Sequence, residues 1–306
     1  MADACLEDES YRGTTLIFIL VVMVWQFYVV YKGVVIMWYL KKAKAFSMNA
    51  SGITLMGSML APFFGTGVSA SYALVLNRSD SEEYAIFDVL RPICFSIMSL
   101  LLIWATSTLS FMWLDILAKS NLSSDSKKYI PRIKRAHNFS VILTGIITVG
   151  GITQGRSDLA GAYQVLLCIY YTAAYKFGGS KLAKQLMPSD MSQSGSENAK
   201  QNAEKIKRVS NSHAITNSIF IIGMGLYVSS AAKYEGGMMA FLGPCVFLSG
   251  IGGMCYVCID YVKFGSRKKL KAVGFKSKLS QIMDSMTSSG SDATENDAAS
   301  SEANGA

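Results

Sequence analysis

Several apolar stretches in this 306-residue chain are longer than a soluble helix or strand needs, and they decide the fold class. A helix must contribute about 20 consecutive, mostly apolar residues to cross the hydrocarbon core of a bilayer. Within lipid the backbone must satisfy its own hydrogen bonds, so stretches of that length form helices. The chain is 51% hydrophobic and only 16% charged, and its charges avoid these stretches. The sequence therefore predicts an all-α membrane protein.

The apolar stretches predict a bundle of seven transmembrane helices in residues 14–262, preceded by a short segment, 1–13. The predicted spans are 14–37, 51–76, 92–117, 139–153, 159–177, 214–232 and 238–262. After them, residues 263–286 combine basic residues with apolar ones such as Leu270 at helical spacing. This combination predicts an amphipathic helix on the membrane surface. The Ser- and acid-rich tail, 287–306, is predicted to be disordered.

The charges of the connecting segments predict the orientation of the bundle. The first loop carries three lysines and no acid, the third six basic residues against one acid, and the fifth seven against three. The segment after the last span is also basic, whereas the N-terminal segment has four acids and one arginine. Because cytosolic loops are enriched in Lys and Arg, the N-terminus is predicted outside and the C-terminus in the cytosol. The net charge of +8 is concentrated on that side, which favours an anionic membrane surface as a partner and excludes nucleic acid.

Charged residues are nearly absent from the predicted spans, and this argues against ion-coupled transport. Apart from Lys176, in the last turn of the fifth, only Lys32, Asp115 and Asp260 fall within them, all toward the cytosolic ends of their helices. Ionisable groups deep in a membrane usually mark proton or ion pathways. One interpretation is that each side chain reaches the interface by itself. The other is an intracellular ionic cluster that joins helices and opens in an active state.

No pattern of catalytic or metal-ligating residues is present, so we expect no enzyme activity, no metal and no cofactor. The two histidines, His137 and His213, lie at predicted cytosolic edges and far apart in sequence. A ligand cavity is predicted instead in the outer half of the bundle, where small hydroxyls and aromatic residues occur on two spans. Its candidate residues are Ser96, Ser99, Trp104, Tyr163, Tyr170 and Tyr171. Ordinary helix packing is the alternative explanation of the same residues.

Two covalent features are possible on the predicted outer side. Cys5 and Cys94 both lie there, and the compartment permits a disulfide between them. Two free thiols are the alternative. Asn77 is the one sequon asparagine on that side and is a candidate for glycosylation, although it lies close to the membrane.

The predicted topology resembles the receptor-type seven-helix superfamily. A closer resemblance, to the tobamovirus-multiplication family of plants and its orphan-receptor-like animal relatives, is carried by Trp113, Asp115 and Ile116 and by the segments KLAKQL and EKIKRVS. The superfamily implies a receptor-like protein that signals to cytosolic partners through residues 118–138, residues 178–213 and the tail. The family implies an endomembrane scaffold or trafficking role, and a facilitative carrier of a small neutral solute is a further alternative. The sequence leaves the ligand open, and also whether the protein lies in the plasma membrane or in an endomembrane.

Overall fold

The described part of the chain is helical throughout, apart from short turns. The computed structural model describes residues 9–77, 84–119, 124–153, 157–186, 195–233 and 238–273. Within these ranges no strand occurs, which confirms the all-α class. The helices are α1 (Glu9–Lys42), α2 (Ala50–Asn77), α3 (Tyr84–Lys119), α4 (Ser124–Thr153), α5 (Ser157–Leu186), α6 (Gly195–Lys233), α7 (Met238–Gly265) and α8 (Arg267–Ala272).

The seven long helices form a closed ring in chain order. Each packs against its neighbours in sequence, α7 returns to α1, and α3 also contacts α5 and α7. Consecutive helices run antiparallel, so α1, α3, α5 and α7 end where α2, α4 and α6 begin. We call this the basic end of the bundle. It carries Lys41, Lys42, Lys181, Lys184, Lys205, Arg208 and Lys263.

Glycines allow α6 and α7 to approach closely. A Cβ on Gly223 would overlap the backbone nitrogen of Phe247, and one on Gly250 would lie 2.6 Å from the backbone nitrogen of Phe220. Small residues at such positions bring helix backbones together, a common device in membrane bundles. This contact fixes the position of α6, which carries part of the site described below.

Four of the helices are long and apolar enough to cross a membrane. These candidate spans are Gly13–Lys42, Ala50–Leu74, Leu90–Ser110 and Leu242–Gly265, in α1, α2, α3 and α7. They support a multi-pass membrane protein. Helices α4, α5 and α6 do not meet the same criteria within the described residues, because polar side chains interrupt their apolar stretches.

Each of these three helices exposes a row of apolar residues and buries several polar ones, although α5 and α6 also bury apolar residues such as Leu167 and Phe220. On α4 the exposed side chains are Phe139, Ile142, Ile146 and Val149, whereas His137, Thr144 and Thr148 are buried. The same inversion occurs on α5, with Leu166 and Ile169 exposed and Gln164 buried, and on α6, with Ile215, Ile219 and Ile222 exposed and His213 and Asn217 buried. A helix of a soluble bundle has the opposite arrangement, with its apolar stripe facing the core.

Several helices extend beyond the predicted span limits at the basic end. Helix α4 begins at Ser124, so most of the predicted third loop is helical. Helix α5 ends at Leu186, and α6 begins at Gly195, well before the predicted start of the sixth span at residue 214. Most of the predicted surface helix and the whole acidic tail lie outside the described residues. Of that segment, Leu270 was expected on the lipid-facing side, but it is buried where α8 packs on α1 and α7.

Candidate functional site at the basic end

Aromatic and histidine side chains from five helices converge inside the basic end of the bundle. We call this group the inner aromatic cluster, and its members are Trp113, His137, Tyr171, Tyr175, His213 and Tyr261. The ring centroids of Tyr175 and Trp113 are 5.0 Å apart, and those of Tyr175 and His213 are 4.1 Å apart. Perpendicular arrangements of this kind add to the energy of apolar burial. The cluster therefore connects α3, α4, α5, α6 and α7 at one level.

Tyr175 contacts both α3 and α6. Its hydroxyl donates to the carbonyl of Thr106 on α3, and its carbonyl accepts a hydrogen bond from the hydroxyl of Ser210 on α6 at 2.5 Å. Its ring contacts Trp113 on α3 and His213 on α6. One residue of α5 thus joins α3 and α6, and a movement of α6 relative to α3 must change at least one of these contacts.

A second set of contacts lies one helical turn away, around Tyr171. The hydroxyl groups of Tyr171 and Ser107 lie 2.7 Å apart, and Nδ1 of His137 is 3.5 Å from the same Tyr171 oxygen. The rings of His137 and Tyr171 stack at 5.6 Å between centroids. These contacts join α4 to α3 through α5, and they place both histidines of the chain in one site.

His213 is fully buried, and neither of its ring nitrogens has a partner among the described protein groups. An unpartnered polar group in the interior costs about 1–3 kcal/mol. Asn217, one turn further along α6, and Gln164 on α5 each bury an unpartnered amide NH₂ group as well. Beyond the cluster the interior therefore contains uncharged polar groups with unused hydrogen-bonding capacity.

The cluster continues into a hairpin formed by the last turns of α5 and the first turns of α6. Leu182 and Ala183 of α5 pack against Ala203 and Ile206 of α6, and all four are buried. A Cβ on Gly179 would lie 2.6 Å from the side chain of Ser210, so glycine permits the two helices to meet there. We call residues 176–186 and 195–211 the α5/α6 hairpin.

An ion pair joins α1 and α7 beside the cluster. Nζ of Lys32 donates to Oδ1 of Asp260 at 2.7 Å, and it also lies 3.3 Å above the ring of Tyr256. The side chain of Lys32 is 14% exposed and that of Asp260 is 47% exposed. Two of the three predicted charged residues are thus brought together. Asp115 lies on α3, two residues after Trp113, but its side chain is outside the described residues.

We predict that the effects of Lys32→Ala and Asp260→Ala on the free energy of unfolding are non-additive. The coupling should exceed about 0.5 kcal/mol, because either single change leaves a charge without its partner. Reversible unfolding in detergent of the wild-type protein, both single variants and the double variant measures it. A cycle of Lys42→Ala with Asp260→Ala is the control. Its effects should be additive, because Lys42 lies ten residues along α1 from Lys32, the residue that pairs with Asp260. Additive effects in both cycles would contradict a functional ion pair.

The predicted ligand-cavity residues do not come together as one group. Ser96 and Ser99 are buried on α3, and the Ser96 hydroxyl donates to the carbonyl of Pro92 in its own helix. Tyr171 belongs to the inner aromatic cluster, Tyr163 packs against the same core, and Trp104 and Tyr170 are 43% and 50% exposed.

The predicted covalent features lie mostly outside the described residues. Cys94 is half-buried beside Gly67 and forms no disulfide with a described residue, and Cys5 lies outside the described residues. Asn77 is the last residue of α2, and its side chain is not described.

The site at the basic end was not identified from the sequence, where His137 and His213 were predicted at cytosolic edges but far apart in sequence. A usable signal was present in the spacing. Tyr171 and Tyr175 are four residues apart, as are His213 and Asn217, so each pair lies on one face of its helix.

Comparisons with protein-family models, with curated proteins and with solved structures found no match to this chain. The resemblances drawn from its motifs therefore stay predictions.

Proposed function

We propose that the chain is a receptor-like protein with seven transmembrane helices, which transmits a conformational change to cytosolic partners. In this proposal α4, α5 and α6 cross the membrane together with the four apolar helices. The basic end faces the cytosol, and the N-terminus lies outside. The inner aromatic cluster is the switch region, and the α5/α6 hairpin is the part that partners contact, together with the start of α4 and the tail.

The inverted arrangement of α4, α5 and α6 supports the count of seven. In water, rows of exposed isoleucine, leucine and phenylalanine on three adjacent helices would lose the hydrophobic stabilisation of about 25 cal/mol for each Å² left unburied. In a bilayer the same rows contact lipid chains, and the inward polar residues face the bundle interior, away from the hydrocarbon. Those inward residues also explain why the apolar stretches of these helices are broken. The charge pattern of the loops supports the orientation.

The contacts of Tyr175 are the observation that carries the signalling proposal. They join α3 to α6 in the half of the proposed membrane region nearer the basic end, and the hairpin begins at the residue after Tyr175. Packed interfaces of this kind shift between discrete arrangements and do not deform continuously. A rearrangement around Tyr175 would therefore move the α5/α6 hairpin as a unit.

We predict that Gly179→Val separates the two helices of the hairpin, whereas Gly178→Val does not. A side chain at position 179 meets Ser210 and the ring of Trp113, but a Cβ at position 178 has no neighbour within 4 Å. Spin labels replacing the exposed Lys184 and Lys200 report the separation by double electron–electron resonance. The Gly179 variant should lengthen the distance by a few ångströms and alter nucleotide exchange on an added G protein. An unchanged distance, or equal effects of both variants, would contradict the proposed role of the hairpin.

A facilitative carrier for a small neutral solute is the second candidate function. The unpartnered amide NH₂ groups of Gln164 and Asn217, together with that of Gln26 on α1, give the interior hydrogen-bond donors without charge. Such groups suit an uncharged hydroxylic solute, which needs no counter-ion in the membrane. Flux of glycerol into proteoliposomes would favour this candidate. Localisation in the native cell separates both candidates from an endomembrane scaffold that binds no ligand.

A further inference from the structure

Three cations meet at the basic end where α6 passes the junction of α7 and α8. Lys205 and Arg208 lie one turn apart on α6, and Arg267 is the first residue of α8. The Nζ of Lys205 lies 3.9 Å above the ring of Phe264, near the end of α7. Burial, and then the charges of Arg267 and Arg208, lower the pKa of Lys205. The fold thus holds like charges close enough to repel one another.

No described carboxylate compensates this group. Asp260, the acidic residue nearest to it on α7, is paired with Lys32 on the side facing α1. Glu204 is exposed on α6, but it forms no ion pair with Lys205, Arg208 or Arg267. Within the described chain the three cations are therefore uncompensated. Repulsion of this kind is relieved when a polyanion binds.

The position of α8 is set by packing, independently of these charges. Leu270 is almost completely buried where α8 contacts α1 and α7, and the amide of Leu270 donates to the carbonyl of Ser266. Arg267 is consequently held at the bundle, with its side chain exposed beside α6. Arg208 is exposed as well, so both guanidinium groups are accessible from the basic end.

We propose that Lys205, Arg208 and Arg267 form a binding site for the polyphosphate headgroup of an anionic lipid, with Phe264 as its apolar floor. Guanidinium groups bind phosphate oxygens through paired hydrogen bonds, and a lysine adds a compact positive charge. Three cations exceed what a headgroup with one net negative charge needs, so a headgroup carrying several phosphates fits best. The site lies at the last turn of α7, where the proposed membrane region ends. The inference that the bound phosphates belong to a lipid rests on the proposed function, which places the basic end at a membrane surface.

Binding to nanodiscs tests this site. The full-length protein is placed in phosphatidylcholine nanodiscs with a few per cent of a bisphosphorylated phosphatidylinositol, and the retained lipid is counted by native mass spectrometry. The variant Lys205→Gln/Arg208→Gln/Arg267→Gln should lower the affinity at least tenfold. The control Lys181→Gln/Lys184→Gln/Lys200→Gln removes the same charge from exposed positions of the hairpin and should retain the wild-type affinity. If the triple variant does not fold, the single variants Arg208→Gln and Arg267→Gln, at exposed residues, should each lower the affinity several-fold.

Three outcomes would overturn the proposal. Equal losses in the site and control variants would mean that only diffuse charge attracts the lipid. Binding of phosphatidylserine with the same affinity at equal surface charge would remove the requirement for several phosphates. If soluble inositol trisphosphate bound as tightly as the lipid, the ligand of the site would be a free phosphate compound and not a lipid. Nanodiscs expose both ends of the bundle, so these results do not depend on the orientation in the cell, which tag protection tests separately.

Discussion

Replacing Ile146 with lysine should prevent the protein from folding or strongly reduce its stability. Ile146 is 64% exposed at the middle of the predicted fourth span, and we propose that it faces lipid. A lysine at the centre of a membrane helix costs about 2.5–3.5 kcal/mol by insertion measurements. On a water-exposed surface the same change would alter the free energy of unfolding by no more than about 0.5 kcal/mol. The yield of monodisperse protein and its melting temperature in mild detergent measure the effect.

The matched control is Phe177→Lys. Phe177 is 76% exposed but lies at the predicted cytosolic end of the fifth span, where a lysine reaches the interface along its own aliphatic chain. This variant should keep a yield and melting temperature close to those of the wild-type protein. Equal tolerance of both changes would contradict the proposal that α4 is in contact with lipid.

Substitution of Gly223 by valine should be the most damaging change in the packing of the bundle. Its side chain would overlap the backbone of Phe247, and a backbone cannot give way as the end of a side chain can. Forced overpacking typically costs about 1–3 kcal/mol, and a backbone clash lies at the upper end. The melting temperature should fall sharply, and the protein should aggregate during size-exclusion chromatography.

Gly225→Val is the control for this experiment. It introduces the same β-branched residue into the same helix two positions later, where a Cβ meets nothing within 4 Å. The change in helix propensity is the same in both variants, so the difference between them reports the α6–α7 contact alone. Similar melting temperatures for the two variants would contradict the observed close packing of these helices.

The sequence predicted helices well because length and apolar content are local properties. Helix α5 continues beyond its predicted span to Leu186, and a proline and a polar stretch follow it in the sequence. The rotation of each helix was harder to predict. Trp104 and Trp113 lie nine residues apart on α3, and at 100° per residue they point to opposite faces. The sequence analysis named Trp104 as a candidate cavity residue, but Trp113 is the tryptophan that lies inside.

The members of the inner aromatic cluster come from helices that are distant in sequence. His137 and His213 each contact a tyrosine of α5, and these contacts depend on how three helices are turned toward one another. Tyr170 and Tyr171 show how sensitive this is, because they are adjacent in sequence and only the second is buried. Tertiary packing chooses between such neighbours, and a single sequence does not contain that choice in a local pattern.

The number of spans is tested most directly by the sides on which the two termini lie. An odd number of crossings puts the termini on opposite sides of the membrane, whereas the four apolar helices alone would return both to one side. Epitope tags are placed before Cys5 and after Ala306, and intact cells, or sealed right-side-out vesicles of the membrane that holds the protein, are treated with protease. Seven spans predict cleavage of the N-terminal tag and protection of the C-terminal tag until the membrane is permeabilised. Cleavage of both tags, or protection of both, would contradict the seven-span account.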